Sequence, residues 1–123
     1  SECAGIGPED VDLVELHDAF AIGELIYVEQ LGLAETGSAW ADIRAGAFDL
    51  DGRIAVNPGG GLLGRGHPLG ATGIAQICEV TWQLRGEAEG RQVENARVGL
   101  THTLGGSQFD LECNAGIVNV LAR

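Results

Sequence analysis

The stretch Asn57-Pro58-Gly59-Gly60-Gly61-Leu62-Leu63-Gly64-Arg65-Gly66-His67-Pro68-Leu69-Gly70-Ala71-Thr72-Gly73 constrains this chain more than any other. Seven of its seventeen residues are glycine. A flexible linker would be rich in Gly and Ser and would lack leucine, arginine and histidine. Glycine at this density marks backbone that takes positive φ or comes close to another group. Pro68 suits the first position of a helix, and the pattern from Leu69 to Leu84 is helical. Ile74, Ile77, Val80 and Leu84 mark its predicted buried stripe, with Cys78 beside it as a small core hydrophobe. Arg85-Gly86 ends it.

The flanking sequence supplies an α/β frame. Residues 11–16 (Val-Asp-Leu-Val-Glu-Leu) alternate weakly and predict a strand. Asp18 is a candidate N-cap for a helix from Ala19 to Leu31, with Phe20, Ile22, Leu25, Ile26 and Leu31 near helical spacing and Gly32 as its stop. Ser38 to Gly46 predicts a short helix, Asp51-Gly52 a turn, and Ile54-Ala55-Val56 a small strand. Ala96–Thr103 and Leu111–Leu121 read as two strands of a hairpin joined through residues 104–108. A strand feeding directly into a helix, then a second helix and two strands, is an α/β order. At 123 residues and 12.8 kDa the chain is one domain.

Composition removes several chemistries. The net charge is −11, and all seven basic residues are arginine. Without lysine there is no Schiff-base or P-loop lysine. Without basic clusters there is no footprint for nucleic acid, and the acidic balance opposes anionic membranes. No apolar run reaches the ~18 residues of a membrane span, and no signal peptide is visible. Cys3, Cys78 and Cys113 lie far apart, with no metal-type spacing. They read as reduced thiols in a cytoplasm. Ser at position 1 and the absence of Met suggest a processed or partial piece of something longer.

The three histidines, His17, His67 and His102, each fall at a strand end or just before a helix, where catalytic groups of α/β folds sit. A neutral imidazole can take a proton or donate one N–H to a developing oxyanion, and glycine-loop N–H groups can donate others. A nucleophile is missing. Cys78 is apolar and helical, Cys113 sits beside Glu112, and Cys3 is terminal, so none reads as an activated thiolate.

These residues carry a resemblance. Residues 66–73 (Gly-His-Pro-Leu-Gly-Ala-Thr-Gly) resemble the GHPxGATG motif of thiolases. His17-Asp18-Ala19-Phe20 resembles the family's N-E-A-F motif, and more closely the His-Asp-Cys-Phe version of the sterol-carrier-protein and archaeal-type branch. Asn57-Pro58-Gly59-Gly60-Gly61 is similar to N-P-S-G-G, and Leu100–Gly106 to the T-H-N-x-G-G segment. The resemblance runs from about residue 8 onward and matches the C-terminal half of a thiolase.

It implies a mixed five-stranded sheet with helices on both faces, one half of a duplicated fold, spanning residues 1–123 with the half incomplete. It implies coenzyme A thioesters as substrates, in Claisen condensation or thiolysis, with no bound cofactor and no metal. The partners implied are an N-terminal half carrying the nucleophilic cysteine, and further copies in a dimer or tetramer. By resemblance His67 helps activate that cysteine and serves the oxyanion hole, while His17 holds the thioester oxygen. His102, Gly105 and Gly106 are candidate catalytic or pocket-lining residues, His102 as a substitute base, and Asn57, Gly59, Gly60 and Gly66 form the substrate loop. Arg44 and Arg65 are the local candidates for CoA phosphate. One departure stands out: Ala19 replaces the condensing cysteine of His-Asp-Cys-Phe. The alternative is therefore a non-catalytic, assembly or lipid-handling subunit. In either reading the chain alone is expected to be inactive.

Overall fold

A computed structural model describes residues 5–105 and 115–123. Four strands form one mixed sheet: β1 (Leu13–Glu15), β2 (Ala55–Val56), β3 (Val98–Gly105) and β4 (Ala115–Ala122), in the order β2-β1-β3-β4. β1 lies parallel to both neighbours, pairing Leu13 with Ala55 and with Gly99. β3 and β4 run antiparallel, with Leu100 opposite Val120. The helices are α1 (Ala21–Gln30), α2 (Ala39–Arg44), α3 (Gly61–Arg65) and α4 (Thr72–Arg85).

Alternation along β1 splits the core in two. Val14 and Leu16 join Val28, Leu33, Ala39, Phe48, Ile54 and Leu100 on the α1–α2 face. Leu13 joins Ala55, Val80, Leu84, Val93 and Ala96 on the α4 face. The sheet is thus sandwiched between two helical layers, and the carboxyl end of β1 opens between them.

The sequence expectations need four corrections. The sheet has four strands among the described residues, where the resemblance implied five, because the other described stretches are taken up by helix and turn. The stretch 57–73 is not one loop; α3 forms inside it, and α4 starts only at Thr72. Pro68 sits before the helix and offers its carbonyl to the Ala71 and Thr72 N–H groups at 2.8 and 3.0 Å. Asp18 does not cap α1, whose N-cap position is Phe20; Asp18 bonds α3 instead.

The fourth correction concerns which faces are buried. Phe20, Ile22 and Ile26 are exposed, and α1 buries Gly23 and Val28. On α4, Ile74 and Ile77 are 66% and 39% exposed, while Thr72, Gln76, Glu79 and Gln83 are buried along with Val80 and Leu84. Burying that polar stripe is tolerable because each member is bonded. Gln76 donates to the His102 carbonyl at 3.1 Å and accepts from the Thr103 hydroxyl. Gln83 donates to the Arg91 carbonyl and accepts from the Val93 N–H at 2.7 Å. Glu79 takes a bidentate pair from Arg91.

The hairpin of β3 and β4 is as expected. Its connection, residues 106–114, lies outside the described residues, as do Gly106, Cys113 and Cys3. Among the described residues no helix is long and apolar enough to cross a membrane.

Candidate functional site

The end of β1 and the glycine-rich stretch are stitched together residue by residue. The Asn57 N–H donates to the Val14 carbonyl at 2.8 Å. The Gly59 N–H donates to Glu15 Oε1 at 2.8 Å. The Leu16 N–H donates to Asn57 Oδ1 at 2.7 Å. The Leu62 N–H donates to Asp18 Oδ1 at 2.6 Å. That last bond satisfies one of the orphan N–H groups at the start of α3 and places a carboxylate at a helix N-terminus. Glycine is required where the stitches are tightest. Gly61 has φ +59, and a Cβ there would collide with the Asp18 carboxylate. At Gly59 a Cβ would stand 2.9 Å from Glu15 Oε1.

Between these stitches stand the histidines. His17 leaves the end of β1, and His67 follows α3 and Gly66, whose φ is +89. Their rings meet edge to face with centroids 4.8 Å apart. His67 Nδ1 lies 2.7 Å from Thr72 Oγ1. The Thr72 hydroxyl donates its only proton to the Pro68 carbonyl at 3.1 Å. With that proton on Pro68 the Thr72 oxygen can accept from Nδ1, and Nε2 of a neutral ring is then free to act as a base.

His102 comes from β3 and packs its ring on Tyr27 of α1 at 4.6 Å. Burial, and secondarily the neighbouring His67, hold His17 below the ordinary imidazole range, against the pull of Asp18. Burial and then His17 lower His102 as well. Both rings therefore favour the neutral form. Nδ1 of each is buried without a hydrogen-bond partner.

The structure brings His17, His67 and His102 into one neighbourhood. It places Asn57, Gly59, Gly60 and Gly66 differently from a set of free donors. The N–H groups of Gly59, Gly60 and Gly66 donate to Glu15, to the Asn57 carbonyl and to the Leu62 carbonyl, and the Asn57 amide oxygen is taken by Leu16. They build the loop rather than offer N–H groups to a ligand. Gly105 is exposed at the end of β3, paired with Ala115. Arg65 is drawn to Glu15, at 2.9 Å, and Arg44 ends α2 on the surface. Among the described residues no group of three or more His, Cys, Asp or Glu is arranged to hold a metal ion.

Sequence reasoning missed Glu15, Tyr27 and Thr72. Thr72 carried a legible signal, lying five residues after His67 at a helix start. Glu15 read as one side of a weakly alternating strand.

The family described as thiolase C-terminal domain-like matches residues 1–112. The chain belongs to that family. It is 56% identical over 104 residues to an acetyl-CoA acetyltransferase of Methanothermobacter thermautotrophicus, a match covering 85% of this chain and 27% of that protein. It is 52% identical over 104 residues to sterol carrier protein 2 of Rattus norvegicus, covering 85% of this chain and 19% of the relative. It is 50% identical to the benzoylsuccinyl-CoA thiolase subunit BbsB of Thauera aromatica, covering 85% and 28%. This chain thus spans between about a fifth and three tenths of these relatives' length. Among solved structures, the Ltp2-ChsH2(DUF35) aldolase shares the fold with a TM-score of 0.77 at 24% identity, covering 97% of this chain and 28% of that one.

Proposed function

We propose that this chain is the C-terminal part of a thiolase-family acyltransferase acting on acyl-CoA or 3-ketoacyl-CoA thioesters, inactive without an N-terminal half that brings the nucleophilic cysteine. The observation that carries the reading is the contact of His67 with Thr72 on one side and the His17 ring on the other. With Thr72 accepting from Nδ1, Nε2 is left as a base. A thiol presented to Nε2 would pass its proton there and attack the thioester carbonyl as thiolate. His17, kept neutral by burial, would donate one N–H to the oxyanion that forms. His17 is buried while His67 stands exposed, so the donor is shielded and the base stays open to an incoming thiol. His102, close to His17, would be the substitute base in place of a cysteine at position 19.

In the full-length protein, His67→Ala is expected to lower acyl transfer by roughly 10²-fold or more. An unchanged rate would refute the assignment. Ala19 favours a second reading, a thiolase-like subunit that no longer condenses. A folded full-length protein that binds acyl-CoA without turnover would establish it.

A further inference from the structure

Glu15 is an anomaly of the sheet. It ends β1 fully buried, beneath the glycine-rich stretch. A leucine would fill the space without the cost of removing a carboxylate from water. Its two oxygens reach two points of one short segment. Oε1 accepts the Gly59 N–H at 2.8 Å. Oε2 pairs with Arg65 Nη1 at 2.9 Å. These two points bracket α3, and His67 follows Arg65 by two residues. Gly59 has no side chain because a Cβ would stand about 3 Å from Glu15, from Arg65 and from the Glu79 side chain at once.

We infer that Glu15 is a positioning residue: its carboxylate clamps the Gly59–Arg65 segment and so fixes where His67 stands against His17. The inference rests on the proposed function only in giving His67 work to do. The groups that face Glu15 are Arg65 from α3 and Glu79 from α4, the latter neutralised by Arg91 beyond it. Burial raises Glu15 to about 7, with the Gly59 N–H and Arg65 opposing and Glu79 assisting the rise. The clamp therefore has full charge above that pH. Below it the protonated acid still accepts from Gly59 but no longer attracts Arg65, and the segment loosens.

The test reads the imidazole rings by 15N NMR at pH 8.5, where neutral histidine dominates, in this chain and in its Glu15→Gln variant. The unaltered chain is expected to show His67 as a single Nδ1–H tautomer. In the variant its two ring-nitrogen shifts are expected to converge towards the tautomer average. Unchanged His67 shifts in a folded variant would overturn the inference. Should the variant fail to fold, the Gly59 amide of the unaltered chain decides. Its N–H must be protected from exchange by the Glu15 carboxylate, and exchange at the free-amide rate overturns the clamp. A displaced His67 ring in Glu15→Gln, beside full activity in full-length His67→Ala, would sustain the clamp and remove the proposed function.

Discussion

Three neighbouring glycines offer a graded test of how the site is built. Gly64 lies inside α3 with an ordinary φ and open space around it. Gly64→Ala should stabilise the fold by about 0.5–1 kcal/mol, the helix-propensity gain. Gly60 has φ +93, and the nearest atom to a Cβ is 3.8 Å away. Gly60→Ala should cost only the left-handed strain, about 1–2 kcal/mol. Gly61, at φ +59, pays that strain and also drives a methyl into the Asp18 carboxylate. Displacing Asp18 leaves the buried Leu62 N–H without its charged acceptor, which costs about 1.5–3 kcal/mol more. Gly61→Ala should therefore lose roughly 2.5–5 kcal/mol, summing these two principles. Urea unfolding with circular dichroism reads the series directly, since a slope of about 1–3 kcal/mol/M converts these losses into well-separated midpoints. If Gly61→Ala and Gly60→Ala lose the same amount within about 0.5 kcal/mol, the Asp18 stitch carries no weight and the reasoning fails.

Two further outcomes are expected. Gly99 lets Val80 of α4 approach β3, and a Cβ there would collide with a Val80 methyl; Gly99→Ala should cost about 1–3 kcal/mol, and adding Val80→Ala should recover at least about 1 kcal/mol of the summed losses. Additive losses in denaturant melts would contradict this contact. His102 binds protons less readily folded than unfolded, so its contribution is complete above the unfolded value near 6.5 and is lost as pH falls below it. The stability gap between the unaltered chain and His102→Gln should accordingly narrow from pH 7.5 to pH 5; a constant or widening gap would refute the sign.

The strand and helix order was legible because turn glycines and the β1 alternation are local signals. Gly32, Gly46 and Gly86 all adopt positive φ at helix ends, as their positions predict. His17 and His67 were legible for the same reason, each standing at an element boundary, whereas His102, expected at a strand end, lies inside β3. The burial of α4 was not. Its apolar residues at 74 and 77 define a convincing stripe, yet the face turned to the sheet carries Thr72, Gln76, Glu79 and Gln83. Their partners, the His102 carbonyl, the Thr103 hydroxyl, Arg91 and the Val93 N–H, come from β3 and from the chain before it. No periodicity within one helix can announce partners that distant. Asp18 misled for a related reason. A cap beside the wrong helix looks identical in sequence to a cap beside the right one, and only the return of the chain at Leu62 decides it.

The stitches between β1 and the glycine-rich segment join residues 41 to 44 positions apart. That separation sets an order of events during folding. α1 and α2 close through local contacts and can form early, whereas each stitch must wait for a long loop to close. Until Gly59 and Arg65 arrive, Glu15 has neither of its partners, so burying it against α4 alone would strand a charge in the core. Premature collapse of that face is penalised, and the imidazoles of His17 and His67 come together only once the chain beyond residue 67 is present. A polypeptide emerging from a ribosome could form α1 and α2 before its histidine pair.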